Sequence, residues 1–368
     1  MELIFKEKEE LLRSLQVLQG VAAGRNTLPI LSNVLIRASN GQIEIAATDL
    51  EVGIQIVVPG SIVEEGAITV SARKLSEIVR ELPVGEIRLT TTANDRVELV
   101  CGDGVYKIIG LPDDEFPELP SIRGEFFTID GELLRSMIFR TEFSAATEEA
   151  RYFLNGLYLL LSADETQIVA TDGRRLAIAS NEALAPAPEE PVGVIIPLKA
   201  VREITKTFGE SAEVRISLLE NQVIFADDDA TLTSRLVEGE YPKYQQIIPR
   251  DNDLHLTLNR DKLSGALRRV ALLSNPKTYS IRLDIQGEQV RISARTPELG
   301  EAYETVEIVG GSGDIQIAFD ARFLTEAVRH IETNEILLEL KDSLSAAVLK
   351  PVGKDDHLCL IMPMRPES

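Results

Sequence analysis

The chain has 368 residues, too many for one comfortable core at roughly 100–200 residues per domain, so two or three domains are expected. Hydrophobic residues make up 44% and charged residues 26%; no apolar run reaches membrane length, and the opening MELIFKEKEE lacks a signal-peptide core, which together point to a cytoplasmic protein. A net charge of −21 argues against a generic nucleic-acid binder unless positive charge is concentrated somewhere, and the two separated cysteines, Cys101 and Cys359, suggest neither a disulfide framework nor a thiolate metal site.

Taken in chain order, the segments come round three times. LIFKEKEELLRSLQVLQ reads as a short strand and then a helix with Leu11, Leu15 and Leu18 on one face and Leu12 beside them. QIEIAATDLEVGIQIVV alternates like an antiparallel hairpin, with Thr48 at its turn, and GAITVSARKLSEIVREL is a strand followed by a helix starting at Ala72. PDDEFPELPSIRGE (112–125) reads as a linker. The second round is FFTIDGELLRSMIFR, then IVATDGRRLAIAS with Thr171, then VGVIIPLKAVREITKTF with a helix from Pro197, closed by the linker EGEYPKYQQIIPRDND (238–253). The third is HLTLNRDKLSGALRRVALL, then VRISARTPELGEAYETVEI with Thr296, then DIQIAFDARFLTEAVRHI with a helix from Asp320.

The threonines are 123 and 125 residues apart, and the helix starts 125 and 123. Three similar α+β domains are therefore expected, near 1–120, 121–248 and 249–368, each with two helices packed on antiparallel sheets. The period is too long for a solenoid repeat of 20–50 residues.

The positive charge is concentrated on those six helices. With their flanking residues they hold 17 basic against 11 acidic residues, net +6, which leaves net −27 elsewhere. If the helices share one face, that face can meet phosphates while the exterior repels stray nucleic acid. The plainer account is that Lys and Arg form helices well and Asp does not.

RYFLNGLYL (151–159), VATDGRRLA (169–177), EGEYPKYQQIIP (238–249) and the ending IMPMR (361–365) resemble the bacterial replicative sliding clamp, the beta subunit of DNA polymerase III. LPILSNVLI (28–36) and DDEFPELP (113–120) fit the same family, and the match is nearly colinear through all three repeats. The resemblance implies the DNA clamp fold and a head-to-tail homodimer, a six-domain ring with helices facing a DNA-sized hole. It implies no intrinsic catalysis, no cofactor and no metal, and a processivity role that encircles double-stranded DNA without reading its sequence.

The resemblance also implies residue roles. A hydrophobic peptide pocket would be formed by Leu154, Thr171, Gly173, Arg174, Arg175, Leu176, Pro242, Gln246, Ile247, Leu360, Met362, Pro363, Met364 and Arg365, with Leu344 and Ala346 nearby. The replicative polymerase subunit, the clamp loader, other polymerases and repair proteins would dock there by short hydrophobic motifs, and the methionines suit varied apolar anchors. DNA would be met by Arg25, Arg73, Lys199, Tyr152 and Phe153, and the dimer would join Lys74, Arg96, Tyr106, Lys107 and Ile108 to Leu272, Leu273, Glu298, Glu301 and Glu304. Read without the resemblance, Asp172-Gly173 is a hairpin turn, LIMPM a buried last strand, Tyr152-Phe153 the core start of a strand, and Arg25 a solvated turn residue.

The chain departs from the family pattern at several places. Asp103 and Val105 stand where relatives carry basic residues, which weakens the expected charge pairing across the dimer. Arg174 and Gln246 change the pocket rim, and the tail Pro366–Ser368 extends past the usual ending.

Two other classes are open at this point. A two-metal hydrolase could use Asp49, Asp172 and Asp227–Asp229, but the third repeat has Arg295-Thr296-Pro297 at the matching place, and no GxxxxGK[ST], HExxH or GxSxG occurs. A monomeric peptide-binding scaffold without nucleic acid would differ from a clamp in self-association and DNA retention.

Overall fold

The structure, a computed structural model, describes residues 1–22, 28–120 and 126–365. Six helices occur among the described residues: α1 (Lys8–Ala22), α2 (Ala72–Glu81), α3 (Gly131–Phe139), α4 (Leu198–Thr207), α5 (Arg260–Ala271) and α6 (Ala321–His330). None is long and apolar enough to cross a membrane. In α1 Leu11, Leu15 and Leu18 are fully buried, and in α5 Leu263, Ala266, Leu267 and Val270 follow the same i, i+3, i+4, i+7 spacing into the core.

A polar residue at the end of a strand converts it to helix. Asp130 Oδ1 accepts the Leu133 N–H at 2.8 Å, Asn259 Oδ1 the Lys262 N–H at 3.0 Å, Asp320 Oδ1 the Arg322 N–H at 2.9 Å, and Ser71 caps α2 more loosely at 3.4 Å. Asp320 therefore caps α6 rather than opening it, and Pro197 closes the strand Val192–Pro197 just before α4.

Backbone proximity groups the chain into two compact units, residues 1–135 with 199–236, and residues 136–198 with 237–368. In the first, one 13-stranded antiparallel sheet starts with Phe127–Asp130, Glu213–Leu218, Gln222–Ala226 and Ala230–Arg235. It continues through Val52–Val57, Gln42–Thr48, Asn33–Ser39 and Gly66–Ser71, then through Gly104–Leu111, Arg96–Cys101, Ile87–Thr92, Glu2–Phe5 and Ser61–Glu64. The strands from the central repeat join those of the N-terminal repeat in register from Ala230 opposite Ile56 to Ser234 opposite Val52. α1 packs on α2, and Gly20 of α1 leaves room for the buried Glu203 carboxylate of α4, which a Cβ there would meet at 2.7 Å.

The second unit has a 12-stranded sheet built the same way. Val192–Pro197, Gly156–Leu161, Glu165–Thr171 and Arg175–Glu182 join His357–Ile361, Ala347–Pro351, Glu335–Leu340 and Leu254–Asn259, followed by Gly300–Gly310, Gln289–Thr296, Ser280–Gly287 and Gly313–Asp320. The junction runs from Arg175 opposite Ile361 to Ala179 opposite His357. α5 packs on α6 above a core that includes Leu258, Ile281, Leu283, Ile292, Phe319 and Leu338.

Both linkers are anchored by aromatic residues. Phe116 is buried with Ile30, Leu31, Leu35 and Ala46, and Leu119 packs so closely over Gly53 that a Cβ there would sit 2.5 Å from it. In the second unit Tyr241 and Tyr244 are buried in the same manner.

Register also corrects one repeat position. The inward alanines Ala47, Ala170 and Ala294 pair with Ile54, Ala177 and Ala302. Arg295, not Thr296, thus stands where Thr48 and Thr171 stand. Thr296 shares the inward face with Ala294 and its Oγ1 donates to the Leu273 carbonyl at 2.9 Å, because seven residues separate Ala294 from Ala302 where six separate each of the two earlier pairs.

His357 is buried in the second unit, with its Nε2 3.0 Å from the Arg140 carbonyl and 3.4 Å from Cys359 Sγ; Arg140 itself pairs with Asp356 at 2.8 Å. Burial, then the nearby Arg140 guanidinium, pushes its pKa from 6.5 down to about 4, with Asp356 opposing and His330 adding slightly. The folded imidazole stays neutral where the unfolded one takes a proton, so its stability contribution is complete above about pH 6.5 and is lost as pH falls toward 4. The loss reaches about 3 kcal/mol. Urea midpoints at pH 7.5 and 4.5 should therefore drop less in His357→Asn than in the parent chain.

Candidate functional site

The loop joining Glu165–Thr171 to Arg175–Glu182 is fixed by its first two side chains. Asp172 Oδ1 accepts the Arg174 and Arg175 N–H groups at 2.8 and 3.1 Å, and Thr171 Oγ1 accepts the Gly173 N–H at 3.0 Å while donating to the Arg175 carbonyl at 2.6 Å. Gly173 takes a φ of 85°, which glycine adopts without strain. The first repeat builds the same turn, with Asp49 Oδ1 accepting from Glu51 and Val52 at 3.0 and 2.8 Å, and Asp227 does likewise for Asp229 and Ala230 at 2.9 and 2.7 Å. These aspartates are committed to loop geometry, which accounts for the repeated ATD phrase without metal chemistry.

Beside that loop lies an apolar floor. Leu154, Leu176, Ala346 and Leu360 are buried in one cluster with Val169, Ile178, Tyr241 and Tyr244. Around it stand exposed Ile247, Leu344 and Met362, with Arg174, Pro242, Gln246 and Arg365 also exposed and Pro363 and Met364 half-buried. The chain end is held by the Met362 N–H donating to the Arg174 carbonyl at 2.9 Å and the Met364 N–H to the Ala318 carbonyl at 2.7 Å. LIMPM is thus split: Leu360 and Ile361 complete a buried strand, and Met362 emerges from it. The nearby loop bearing Leu344 is pinned by Asp342, which accepts the Leu344 and Ser345 N–H groups at 2.8 and 2.7 Å.

The tyrosines of the floor went unassigned in the sequence, although EYPKY is the phrase that holds them. Tyr158 stacks on Tyr241 with centroids 4.7 Å apart, Tyr241 Oη donates to the Val169 carbonyl at 3.4 Å, and Tyr244 Oη to Gln167 Oε1 at 2.5 Å. Burial pushes the Tyr244 phenol up to about 12 and the Tyr241 phenol further, so both remain protonated donors.

Arg175 is turned into the protein rather than out to solvent. Its side chain is 11% exposed, pairs with Asp172 at 3.0 Å and with Glu326 of α6, and lies over the rings of Phe323 and Phe143 at 4.5 and 5.4 Å. His330 stacks on Phe143 nearby at 4.3 Å.

The residues assigned to DNA contact are placed unevenly. Arg25 lies outside the described residues. Arg73 is exposed on α2, where its Nε donates to Glu77 at 2.7 Å beside Lys74 at 2.8 Å; the hydrogen bonds from Lys74 and Arg73 hold the Glu77 carboxyl down at about 2. Lys199 on α4 pairs with Asp49, and burial lowers its pKa against the pull of Glu203. Tyr152 is 59% exposed and Phe153 half-buried, both in the 3-10 turn Glu149–Leu154 rather than at a strand start. The six helices together carry 15 basic against 8 acidic residues, net +7, leaving net −28 on the rest of the chain.

The residues assigned to the dimer fall on two strand edges and nearby helices. Gly104–Leu111 pairs along its length with Arg96–Cys101, but only Gly110 and Leu111 meet a strand on the other side. Its unpaired part exposes Val105, Tyr106, Lys107 and Ile109, with Ile108 half-buried; Asp103 is exposed just before it, and Arg96 is exposed on the neighbouring strand, where Glu98 pairs with Lys107 at 2.9 Å. Gly300–Gly310 is similarly unpaired until Ile308, with Glu301 and Tyr303 exposed, Glu298 and Leu272 exposed nearby, and Leu273 half-buried. Glu304 is already held by Arg269 through two hydrogen bonds of 2.6 and 2.7 Å.

Models of the N-terminal, central and C-terminal domains of the DNA polymerase III beta subunit match residues 1–120, 128–243 and 245–365. The chain belongs to the DNA polymerase III beta subunit family. It is 35% identical to the beta sliding clamp of Pseudomonas aeruginosa and 32% identical to that of Escherichia coli K12, with 98% of each chain covered in both comparisons. The crystal structure of the Pseudomonas aeruginosa subunit superposes with a TM-score of 0.93 at 34% identity, and the Bacillus subtilis DNA polymerase sliding clamp with 0.95 at 26%, both over the whole of each chain. The fold is therefore three tandem clamp domains, with neighbouring domains fused through their sheets.

In this family member Arg175 ties the loop after Glu165–Thr171 to α6. Arg175→Met should leave the Asp172 and Glu326 carboxylates without their cation and lower stability by about 2 kcal/mol, less than a fully buried pair because Glu326 is 44% exposed. A shift in the urea midpoint with an unchanged slope would check this.

Proposed function

We propose that two copies of this chain close head to tail into a six-domain ring around double-stranded DNA and hold polymerases on it. The division near 1–120, 121–248 and 249–368 is supported by the spans of the three matching family models. The ring rests on one observation: two long strands within the sheets, Gly104–Leu111 and Gly300–Gly310, each keep most of one edge open, and they are the counterparts of the two strands that make each junction inside the chain. Leu232 and Cys359, paired with Phe225 and Leu349, meet Ile54 and Ala177 across the junctions. In the N-terminal repeat the corresponding residue is Tyr106, paired with Leu99, and the counterpart of Ile54 and Ala177 is Ala302.

The same register across two chains sets Tyr106 against Ala302 of the partner subunit and Lys107 opposite the partner's Glu301. An open, partly apolar edge invites added strands, and this pairing covers the open edges of Gly104–Leu111 and Gly300–Gly310 at once. Asp103 and Val105 add no positive charge to the seam, and Glu304 is engaged by Arg269, so the apolar residues Tyr106, Ile108, Leu272 and Leu273 carry most of it.

Retention on DNA then needs no grip. The basic surplus on the helices gives non-specific attraction, with a Kd of roughly 10⁻⁴–10⁻⁶ M, while encirclement prevents escape. Arg73 and Lys199 reach DNA as cations already balanced by Glu77 and Asp49, which softens the attraction and favours sliding. The chain supplies no catalysis of its own and works in the cytoplasm beside the chromosome.

Peptide motifs from the replicative polymerase subunit, the clamp loader and repair proteins would enter the floor under Ile247, Leu344 and Met362. Pairing Ile247→Ala with Met362→Ala, both exposed in the free chain, should weaken a hydrophobic pentapeptide roughly 10-fold or more without lowering stability; isothermal titration measures it.

Sedimentation over a wide dilution range tests the ring. The parent chain should run at twice 40.5 kDa and stay on nicked circular DNA after loading but leave it on linearisation, whereas Tyr106→Glu should run at 40.5 kDa and be retained on neither. A monomeric parent chain at micromolar concentration would refute ring closure.

A further inference from the structure

The exposed face of the three strands Ser280–Gly287, Gln289–Thr296 and Gly300–Gly310 gathers three arginines, Arg282, Arg291 and Arg295, among the carboxylates Asp284, Glu301 and Glu307. The opposite face of these strands packs on α5 through Ile281, Leu283, Ile292 and Ala294. On the outward face Arg282, Arg291 and Arg295 border a concavity of about 410 Å³, with Tyr303 at one side. Arg291 and Arg295 make no ion pair with a carboxylate among the described residues, although Asp284 and Glu301 stand directly across the strand from them. Arg282 uses one nitrogen, donating to Gln316 Oε1 at 2.5 Å. Tyr303 is 63% exposed, and the Arg291 guanidinium lies 4.2 Å from its ring centroid.

We propose that this concavity binds single-stranded nucleic acid, one phosphate-bearing nucleotide resting in it with its base against Tyr303. The arginine forks match phosphate oxygens, and guanidinium groups left without carboxylates inside a net −21 chain are the groups an anion would neutralise. An exposed aromatic ring beside such cations is the pairing that single-strand sites use, since every base presents a stacking face. Duplex DNA keeps its bases stacked and offers none to Tyr303. An acidic peptide would satisfy the arginines but would leave the ring idle. In the ring reading the partner's Lys107 faces Glu301, which further frees Arg295; the concavity itself is lined by one chain and persists in a monomer.

The test uses the full chain with a fluorescein-labelled 12-nucleotide oligothymidylate, and a matching oligonucleotide carrying 5-iodouracil for photo-crosslinking. The crosslink should map to the tryptic peptide containing Tyr303. Arg282→Ala with Arg291→Ala should reduce that crosslink about 10-fold and flatten the log–log salt dependence of binding by about 1.4, at roughly 0.7 for each phosphate contact removed. Tyr303→Leu, which keeps every charge, should reduce the crosslink and leave the salt slope unchanged. Crosslinks confined to the helices or to the Met362 pocket would overturn the proposal, as would an arginine double variant that crosslinks like the parent. Displacement of the oligonucleotide by polyglutamate at equal charge concentration would reassign the site to acidic peptides. Sedimentation of the same samples separates this result from the ring, because a monomer that still crosslinks at Tyr303 refutes only closure.

Discussion

An antiparallel sheet edge left unpaired is a row of backbone donors and acceptors waiting for a strand, and most of this molecule can be derived from how its edges are satisfied. Each repeat contributes two small antiparallel sheets. Inside the chain their outer strands meet in ladders of five residues, from Ala230 to Ser234 and from Arg175 to Ala179, and two large sheets result. The compact units therefore cut across the central repeat, since one of its sheets belongs with the N-terminal repeat and the other with the C-terminal one.

Charge is arranged over this scaffold by element type. The helices hold the cationic surplus, while strands and loops carry the acidic excess, so one chain can be attractive to a polyanion along its helices and repulsive over most of the remaining surface. Several helix cations are tempered by carboxylates, as Arg73 and Lys74 are by Glu77. A sliding protein needs attraction that many equivalent positions share, and pairing of this kind keeps single contacts weak.

The parts of this architecture that are local were legible in the sequence. Leucines at helical spacing in α1 gave the buried face directly, whereas the capping roles of Asp130, Asn259 and Asp320, at three of the six helices, went unassigned in the sequence, and the repeat spacing starts the last helix at Asp320 itself. The floor and rim of the pocket came from a family likeness; spacing alone does not bring Leu154, Leu176 and Leu360 together. Three features escaped for a common reason. Strand partners such as Ile54 and Leu232 are far apart in sequence and nothing local links them; the Arg175 head turns to Glu326 on a helix 151 residues away; and one extra residue in the third hairpin sets Thr296 on the inward face without disturbing the apparent repeat. Tyr241 and Tyr244 look like linker residues because proline and acidic neighbours surround them, yet their rings are buried.

The proposed pocket would straddle the ladder between Arg175–Glu182 and His357–Ile361, over an apolar cluster drawn from both sides and from the linker tyrosines. Anything seated there touches strands of two different repeats and so acts as a staple across their seam. Occupancy should slow amide hydrogen exchange along Ala177–Ala179 and Leu358–Leu360, and raise the melting temperature of the free chain with the logarithm of ligand concentration over Kd. Under the proposed function, a docked polymerase would stiffen the track that carries it.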